Sequence, residues 1–123
     1  MKKLFVIILV LSLSSCFKHK EKGIDFEIKN ESELTIKEIK FYTSEKTTIA
    51  EFHKIEPNES TTSFLAMKNN QSDGGYVLEF TRSDGQKEIS SNGYYTNGSP
   101  LDRKISLVVK KDTILWRFNT RRY

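Results

Sequence analysis

The stretch Tyr76–Ser90, YVLEFTRSDGQKEIS, decides the fold of this chain. Its first half places Tyr76, Leu78 and Phe80 at every second position, which is the period of a strand with one buried face. Asp84-Gly85 then separates this run from a second extended segment, and Asp-Gly between strands is a strong hairpin signal. The stretch therefore predicts two antiparallel strands joined by a tight turn.

The same two-residue period recurs on both sides of this hairpin. Four extended runs precede it and two follow it: Ile24–Ile28, Leu34–Phe41, Thr47–Ile55, Ser60–Met67, Ile105–Val109 and Ile114–Phe118. The alternation slips phase at Lys37-Glu38, which predicts a β-bulge. Turn residues separate the runs about every 8–12 residues, as in all-β domains. The sequence therefore predicts an all-β fold, an antiparallel β-sandwich of seven or eight strands, with a small barrel as the alternative.

The predicted core consists of apolar residues that share the inward face of these runs. Its members are Phe26, Ile28, Ile36, Phe41, Phe52, Phe64, Leu78, Phe80, Leu107, Val109, Ile114, Trp116 and Phe118. Tyr76 also occupies an alternating apolar position and is predicted to lie in the core.

A loop is predicted for the stretch 91–101, SNGYYTNGSPL, because it contains two Asn-Gly pairs and a proline. Tyr94 and Tyr95 are adjacent, so on an extended chain one packs inward while the other faces solvent. Tyrosine among glycine, serine and asparagine also makes a good recognition surface. Tyr94, Tyr95 and Asn97 are therefore candidate binding residues, and the alternative is a core tyrosine beside a hairpin.

The amino terminus has a pattern of its own. Lys2 and Lys3 precede ten mostly apolar residues, Leu4–Leu13, and Leu13-Ser14-Ser15-Cys16 follows. Ten residues form about 15 Å of helix, half of the ~30 Å that spans a bilayer core. This segment is therefore a signal peptide rather than a spanning helix.

The motif Leu13-Ser14-Ser15-Cys16 resembles the lipobox of bacterial lipoproteins, in which an aliphatic residue and two small residues precede a cysteine. The resemblance implies that the sulfur of Cys16 carries a diacylglyceryl group and that the chain is cleaved before Cys16. No second thiol exists to form a disulfide with Cys16. An ordinary secretory signal with a chance cysteine is the alternative.

The lipobox and the strand pattern together predict a division of the chain into four segments. These are a signal peptide at 1–15, a lipidated cysteine with a charged tether at 16–23, a β-sandwich domain at 24–119 and a basic tail at 120–123. The implied location is the cell membrane or the outer membrane, with the lipid-anchored domain facing the periplasm or the cell surface.

Two further elements, Ile28–Ser32 of the form I-x-N-x-S and Ile55–Ser60 of the form I-x-P-x-x-S, resemble the opening strands of immunoglobulin-like domains. Such domains are common in secreted proteins and lipoproteins of Bacteroidota. The resemblance favours a sandwich over a closed barrel. It implies no activity, because folds of this kind host many functions.

Charge is distributed unevenly along the chain. Residues 24–60 carry nine acidic and five basic side chains, whereas residues 103–123 carry one acidic and seven basic side chains. The mature chain from Cys16 has 18 basic and 16 acidic residues. Its small net charge does not favour a nucleic-acid partner. The basic carboxyl end makes Arg117, Arg121 and Arg122 candidate binding residues.

No catalytic or metal-binding pattern is present in the sequence. The only imidazoles belong to His19 and His53, and neither has a second histidine at ligand spacing. The least implausible acid–base pair is Glu51 with His53. We therefore expect no enzyme activity, no metal and no cofactor. Asp112-Thr113-Ile114 resembles the O-glycosylation motif of Bacteroidota periplasmic proteins, which would place a glycan on Thr113.

The sequence thus predicts a membrane-anchored, non-catalytic envelope lipoprotein. Its β-domain is expected to be a monomer that binds a protein or glycan partner in the envelope. The alternative is a periplasmic inhibitor or immunity-type lipoprotein that blocks a toxin or a wall hydrolase, since an acidic surface over residues 24–60 would suit a basic target.

Overall fold

A computed structural model describes residues 21–120 of the chain. Nine β-strands form the described part: β1 Gly23–Asn30, β2 Ile36–Thr43, β3 Ile49–Ile55, β4 Ser60–Ala66, β5 Gly74–Arg82, β6 Lys87–Thr96, β7 Ser99–Pro100, β8 Asp102–Val109 and β9 Ile114–Thr120. Within these residues, no helix is long and apolar enough to cross a membrane.

The strands form two sheets that pack face to face as a β-sandwich. The four-stranded sheet has the order β4-β1-β8-β9, and the five-stranded sheet has the order β3-β2-β5-β6-β7. All strand pairs are antiparallel except β1 with β8, which run parallel with Phe26 opposite Ile105. Between β1 and β8 the chain crosses to the five-stranded sheet twice. This long connection allows β8 to run parallel to β1.

The core fills the space between the inner faces of the two sheets. Phe26 of β1 and Phe41 of β2 lie at its centre, with ring centroids 4.4 Å apart across the sheets. Phe41 also stacks on Tyr76 of β5 at 6.1 Å, and Tyr76 contacts Tyr95 of β6 at 5.6 Å. All four rings are buried. One aromatic series therefore joins the centre of one sheet to three strands of the other.

The predicted all-β sandwich is confirmed, and so are two of its local features. The pairing of β2 with β5 shifts register between Lys37 and Lys40, and Glu38 has a positive φ of 51°. This is the bulge that the phase slip predicted. The β5–β6 hairpin turns at Asp84-Gly85, where Gly85 has a φ of 92° that favours glycine.

The prediction of a loop at 91–101 is wrong. Strand β6 continues to Thr96, and β7 returns beside it. The two Asn-Gly pairs have different structural roles: Gly93, with a φ of 80°, lies at a register shift in β6, whereas Asn97 and Gly98 both have positive φ and form the β6–β7 turn. The positive φ of Gly93 accompanies a β-bulge, so β6 continues past the Asn92-Gly93 pair.

Three further predictions need correction. The described residues form nine strands rather than seven or eight, because the stretch 91–101 includes the two-residue strand β7. One strand pair is parallel. Phe64 is 41% exposed, because Leu65 and Met67 face the core and the alternation of side chains along the strand turns Phe64 outward. Phe52, Ile114, Trp116 and Phe118 are only partly buried, because they lie on strands at the sides of the sandwich.

The sandwich has two distinct ends. The near end, where β1 begins and β9 ends, carries the loops 44–48 and 67–73 and the turn 97–98. The far end carries the connections 31–35, 56–59, 83–86 and 110–113. Buried Asn30 closes the far end, since its amide donates to the carbonyls of Leu34 at 2.8 Å and Ile55 at 3.0 Å. Buried Arg82 donates to Lys110 O at 2.8 Å from the same end.

We predict that Phe41→Ala lowers the free energy of unfolding by about 3–5 kcal/mol, because it removes a buried ring from the centre of the core. Phe64→Ala should cost less than about 1 kcal/mol, because its ring lies on an outer face. Urea denaturation of both variants measures the difference. Equal losses would contradict the assignment of inner and outer faces.

Candidate functional site

The outer face of the five-stranded sheet presents two rows of side chains across four strands. The register places one row in the order Ile49, Tyr42, Val77 and Ser91, and the next row in the order Glu51, Lys40, Glu79 and Ile89. These residues alternate with inward-facing Ala50, Phe41 and Leu78, so their side chains point away from the core. We call these eight residues, together with Tyr94, the outer face.

Exposed apolar side chains concentrate on the outer face. Five large hydrophobic residues of the described chain are exposed, and three of them lie here: Ile49, Ile89 and Tyr94. Ile89 is 67% exposed, the largest fraction of the five. Exposed apolar groups that share one face are typical of surfaces that bind a partner. The other two, Leu34 and Phe64, lie in a far-end connection and on the opposite sheet.

Tyr42 forms a flat, covered centre within this face. It is only 5% exposed although it points outward, and the ammonium of Lys46 lies 5.6 Å from its ring centroid. Burial, together with the hydrogen bond to the Glu79 carboxylate, raises the pKa of Tyr42 to about 12. The hydroxyl therefore stays protonated at physiological pH.

A shallow groove of about 260 Å³ lies where the bulge of β2 meets β3. Ile39 and Phe52 contribute apolar wall, while two carboxylates and two basic groups line the rest: Glu38, Glu51, Lys40 and His53. Glu51 and His53 share the exposed side of β3, two residues apart. No hydrogen bond joins them among the described contacts. No group of three histidine, cysteine or acidic residues in 21–120 is placed to hold a metal ion.

A carboxylate clamp at the near end fixes the loops beside the outer face. The Glu45 carboxylate accepts hydrogen bonds from the backbone N–H groups of Gln71 at 3.0 Å and Ser72 at 3.1 Å, and from the Tyr95 hydroxyl at 2.7 Å. These donors, the Gln71 N–H first, lower the pKa of Glu45 to about 2. The clamp thus joins loop 67–73 to a buried core tyrosine.

A second carboxylate positions the β6–β7 hairpin. Asp73 accepts from the backbone N–H of Asn97 at 2.8 Å and from the Tyr94 hydroxyl at 3.1 Å. The Asp73 hydrogen bond raises the pKa of Tyr94. The exposed ring of Tyr94 is therefore held in one orientation, which reduces the entropy that it would lose on binding a partner.

The structure separates the binding residues predicted from the sequence. Tyr94 is 51% exposed and Tyr95 is fully buried, so Tyr95 belongs to the core and is no surface contact. Asn97 is exposed and lies in the near-end turn. Arg117 pairs with Ser106 on the outer side of the opposite sheet, away from Tyr94.

Three predicted residues, Cys16, Arg121 and Arg122, lie outside the described part of the chain. Thr113, the proposed glycan site, is exposed in the β8–β9 turn, where its carbonyl accepts from Lys110 N at 2.8 Å.

Comparisons with known proteins show likeness of fold. No protein-family model matches the chain, and no curated protein matches it. A solved structure, the NMR structure of the protein from Eubacterium rectale, is similar with a TM-score of 0.59 at 8% sequence identity. The match covers 85% of this chain and 95% of that chain. At this identity the similarity shows a shared fold and nothing about activity.

Sequence reasoning missed two of the three exposed apolar residues of the outer face, Ile49 and Ile89, and it missed the near-end clamp. Ile49 and Phe52 are three positions apart, so in a strand they face opposite sides, and this parity could have identified Ile49 as outward. By the same rule, Ile89 faces outward because its neighbour Glu88 faces inward. Glu45 had no local signal, because its three donors come from loop 67–73 and from β6.

We predict that Glu45→Gln is less stable than wild type near pH 7 and that the difference vanishes as the pH falls. The folded pKa of Glu45, about 2, lies below its ordinary value of 4.5. The stabilisation is therefore complete above about pH 4.5 and is lost as the pH falls towards 2. Urea midpoints measured near pH 7 and near pH 3 test this.

The matched control is Glu51→Gln, which removes an exposed carboxylate from β3. Its midpoint should stay close to that of wild type at both pH values. A gap between wild type and Glu45→Gln that is as large near pH 3 as near pH 7 would refute the clamp.

Proposed function

We propose that this chain is a membrane-anchored, non-catalytic envelope lipoprotein whose sandwich binds a protein or glycan partner through the outer face. The observation that carries the proposal is the grouping of Ile49, Ile89 and Tyr94, exposed and on one side of one sheet. Rigid aromatic and aliphatic side chains are the usual anchors of protein interfaces. Tyr94, whose hydroxyl is held by the Asp73 carboxylate, adds a flat ring that also suits the apolar face of a sugar.

The lipobox at 13–16 supports the anchor, and the fold limits the distance between lipid and domain. The Lys22 carbonyl accepts from Met67 N at 2.7 Å, and its ammonium donates to Asn70 O at 3.2 Å. The chain is thus joined to the near end from Lys22 onward. Six residue steps separate Cys16 from Lys22, which reach at most about 22 Å. Lipidation at Cys16 would therefore hold the near end close to the membrane.

In this orientation the far end points away from the lipid, and the outer face stands along the side of the domain. Tyr94 and Ile49 lie towards the membrane, while Ile89 lies towards the far end. A partner in the plane of the same membrane, or a glycan network beside it, can reach all three side chains.

An inhibitor or immunity-type lipoprotein is the second candidate function. The far-end connections 31–35 and 56–59 carry Glu31, Glu33, Glu56 and Glu59. Lysines pair with two of these, since Lys29 and Lys110 lie within 3.4 and 3.8 Å of Glu31 and Lys54 lies 3.1 Å from Glu56. The Glu33 carboxylate is exposed at the tip. A basic toxin or hydrolase would bind there rather than on the outer face.

We predict that mass spectrometry of the membrane fraction finds the mature chain beginning at acylated Cys16. Cys16→Ser should abolish both the lipid and the processing before residue 16, because no other thiol is present. A wild-type chain that is soluble and cleaved at another position would contradict the anchor and leave the outer face untouched as a candidate.

We predict that the purified chain captures a partner from envelope extracts and that Ile49→Ser/Tyr94→Ser loses it. The double variant removes two exposed anchors from the outer face, so its melting temperature should stay close to that of wild type. The matched control is Phe64→Ser, which removes an exposed ring from the opposite sheet and should retain the partner. A loss that follows Glu33→Lys instead would favour the inhibitor, and retained capture in every variant would reject both surfaces.

A further inference from the structure

Strand β6 has a long free edge. Strand β7 pairs only with Tyr95 and Thr96 of β6. Among the described residues, no strand lies beside Lys87–Tyr94 on the side away from β5. Unpaired N–H and C=O groups along such an edge are a template for one further strand. The occupant that this edge fits is therefore an extended segment of polypeptide.

The charges that protect edge strands are missing from most of this edge. The segment Ile89–Thr96 contains no charged residue. Glu88, just before it, turns inward and pairs with Arg82 at 2.8 Å. By contrast, the edge strand β9 carries exposed Arg117, and the edge strand β3 carries Glu51, His53 and Lys54. The edge strand β4 also has no charged residue, and β6 differs from it in carrying Ile89, the most exposed large hydrophobic side chain of the described residues.

The edge is complementary to itself. Two copies of β6 that pair antiparallel about a twofold axis must place outward residues opposite outward residues. Centring the pair on Glu88 would oppose two carboxylates, which is destabilising. Centring it on Ser90 would place Lys87 opposite the bulged Gly93. Centring it on Ile89 places Ile89 opposite itself and Lys87 opposite Ser91, with no like charges in contact.

We propose that a second copy of this chain pairs with β6 in this Ile89-centred register, so that the two five-stranded sheets become one continuous sheet. The contact buries the most exposed large hydrophobic side chain of the described residues against its own copy. This departs from the monomer predicted from the sequence. It does not require the envelope partner, because the two surfaces share only Ile89 and Ser91.

A five-residue strand pair buries less area than the roughly 1,200 Å² of a stable interface. The dimer is therefore weak in dilute solution. Confinement to a membrane raises the effective concentration of one copy around another. The test belongs in membranes of cells that express the full-length chain.

The register predicts which single cysteines form disulfides. Opposite residues in an antiparallel pair have Cα atoms about 4.5–5.5 Å apart, within the range of a disulfide. Under mild oxidation, Ile89→Cys should form a covalent dimer at several times the wild-type level. Ser91→Cys alone should not, because its two copies lie about 14 Å apart along the strand. Ser91→Cys co-expressed with Lys87→Cys should form the dimer again.

Two controls separate the edge from random collision and from Cys16. Wild type reports any disulfide through Cys16, and Ile49→Cys places an exposed cysteine on the opposite edge of the same sheet. A dimer from Ile89→Cys but not from Ile49→Cys supports the proposal. Equal yields from both, or none from Ile89→Cys, overturn it. Either outcome leaves the capture of an envelope partner to be decided separately.

Discussion

The contact between Phe26 and Phe41 is the interaction on which the rest of this sandwich depends. Phe26 lies on the strand at the centre of the four-stranded sheet, where β1 pairs with β4 on one side and β8 on the other. Phe41 lies on β2, between β3 and β5. Their rings, 4.4 Å apart, therefore fix the relative position of two sheets that share no strand. The series continues through Tyr76 to Tyr95, whose hydroxyl leaves the core to bind Glu45. Packing at the centre and loop order at the near end are thus parts of one connected structure.

The fold class, the β5–β6 hairpin and the β2 bulge could be predicted from the sequence, because each depends on period or turn chemistry within a few residues. Asp84-Gly85 is such a case, and so is the phase slip at Lys37-Glu38. The parallel pairing of β1 with β8 could not be predicted from the sequence, since no local pattern indicates which distant strands pair. The prediction of a loop at residues 91–101 was wrong, because Asn-Gly occurs both in turns and in bulges. Pairing with the neighbouring strand β5 determines which of the two forms.

The candidate site was predictable to a smaller extent. Adjacency predicted that Tyr94 and Tyr95 face opposite ways, and the structure shows one exposed and the other buried. Adjacency could not tell which of the two lies inside, since that depends on Tyr76 and Glu45. Grouping of Ile49, Ile89 and Tyr94 on one face requires the strand order of the sheet, which a single sequence does not record. Arg117, which the sequence predicted as a binding residue, lies on the opposite sheet, away from the outer face.

We propose that the outer face of the five-stranded sheet is the surface that this domain presents to its partners. Amide hydrogen exchange of the chain, measured in its own membranes and again after extraction into detergent, tests that claim most directly. We expect slower exchange in membranes along β3 and β6, whose edges border the outer face, with β4 and β9 unchanged. Protection confined to β4 and β9, or equal exchange in both preparations, would contradict the claim.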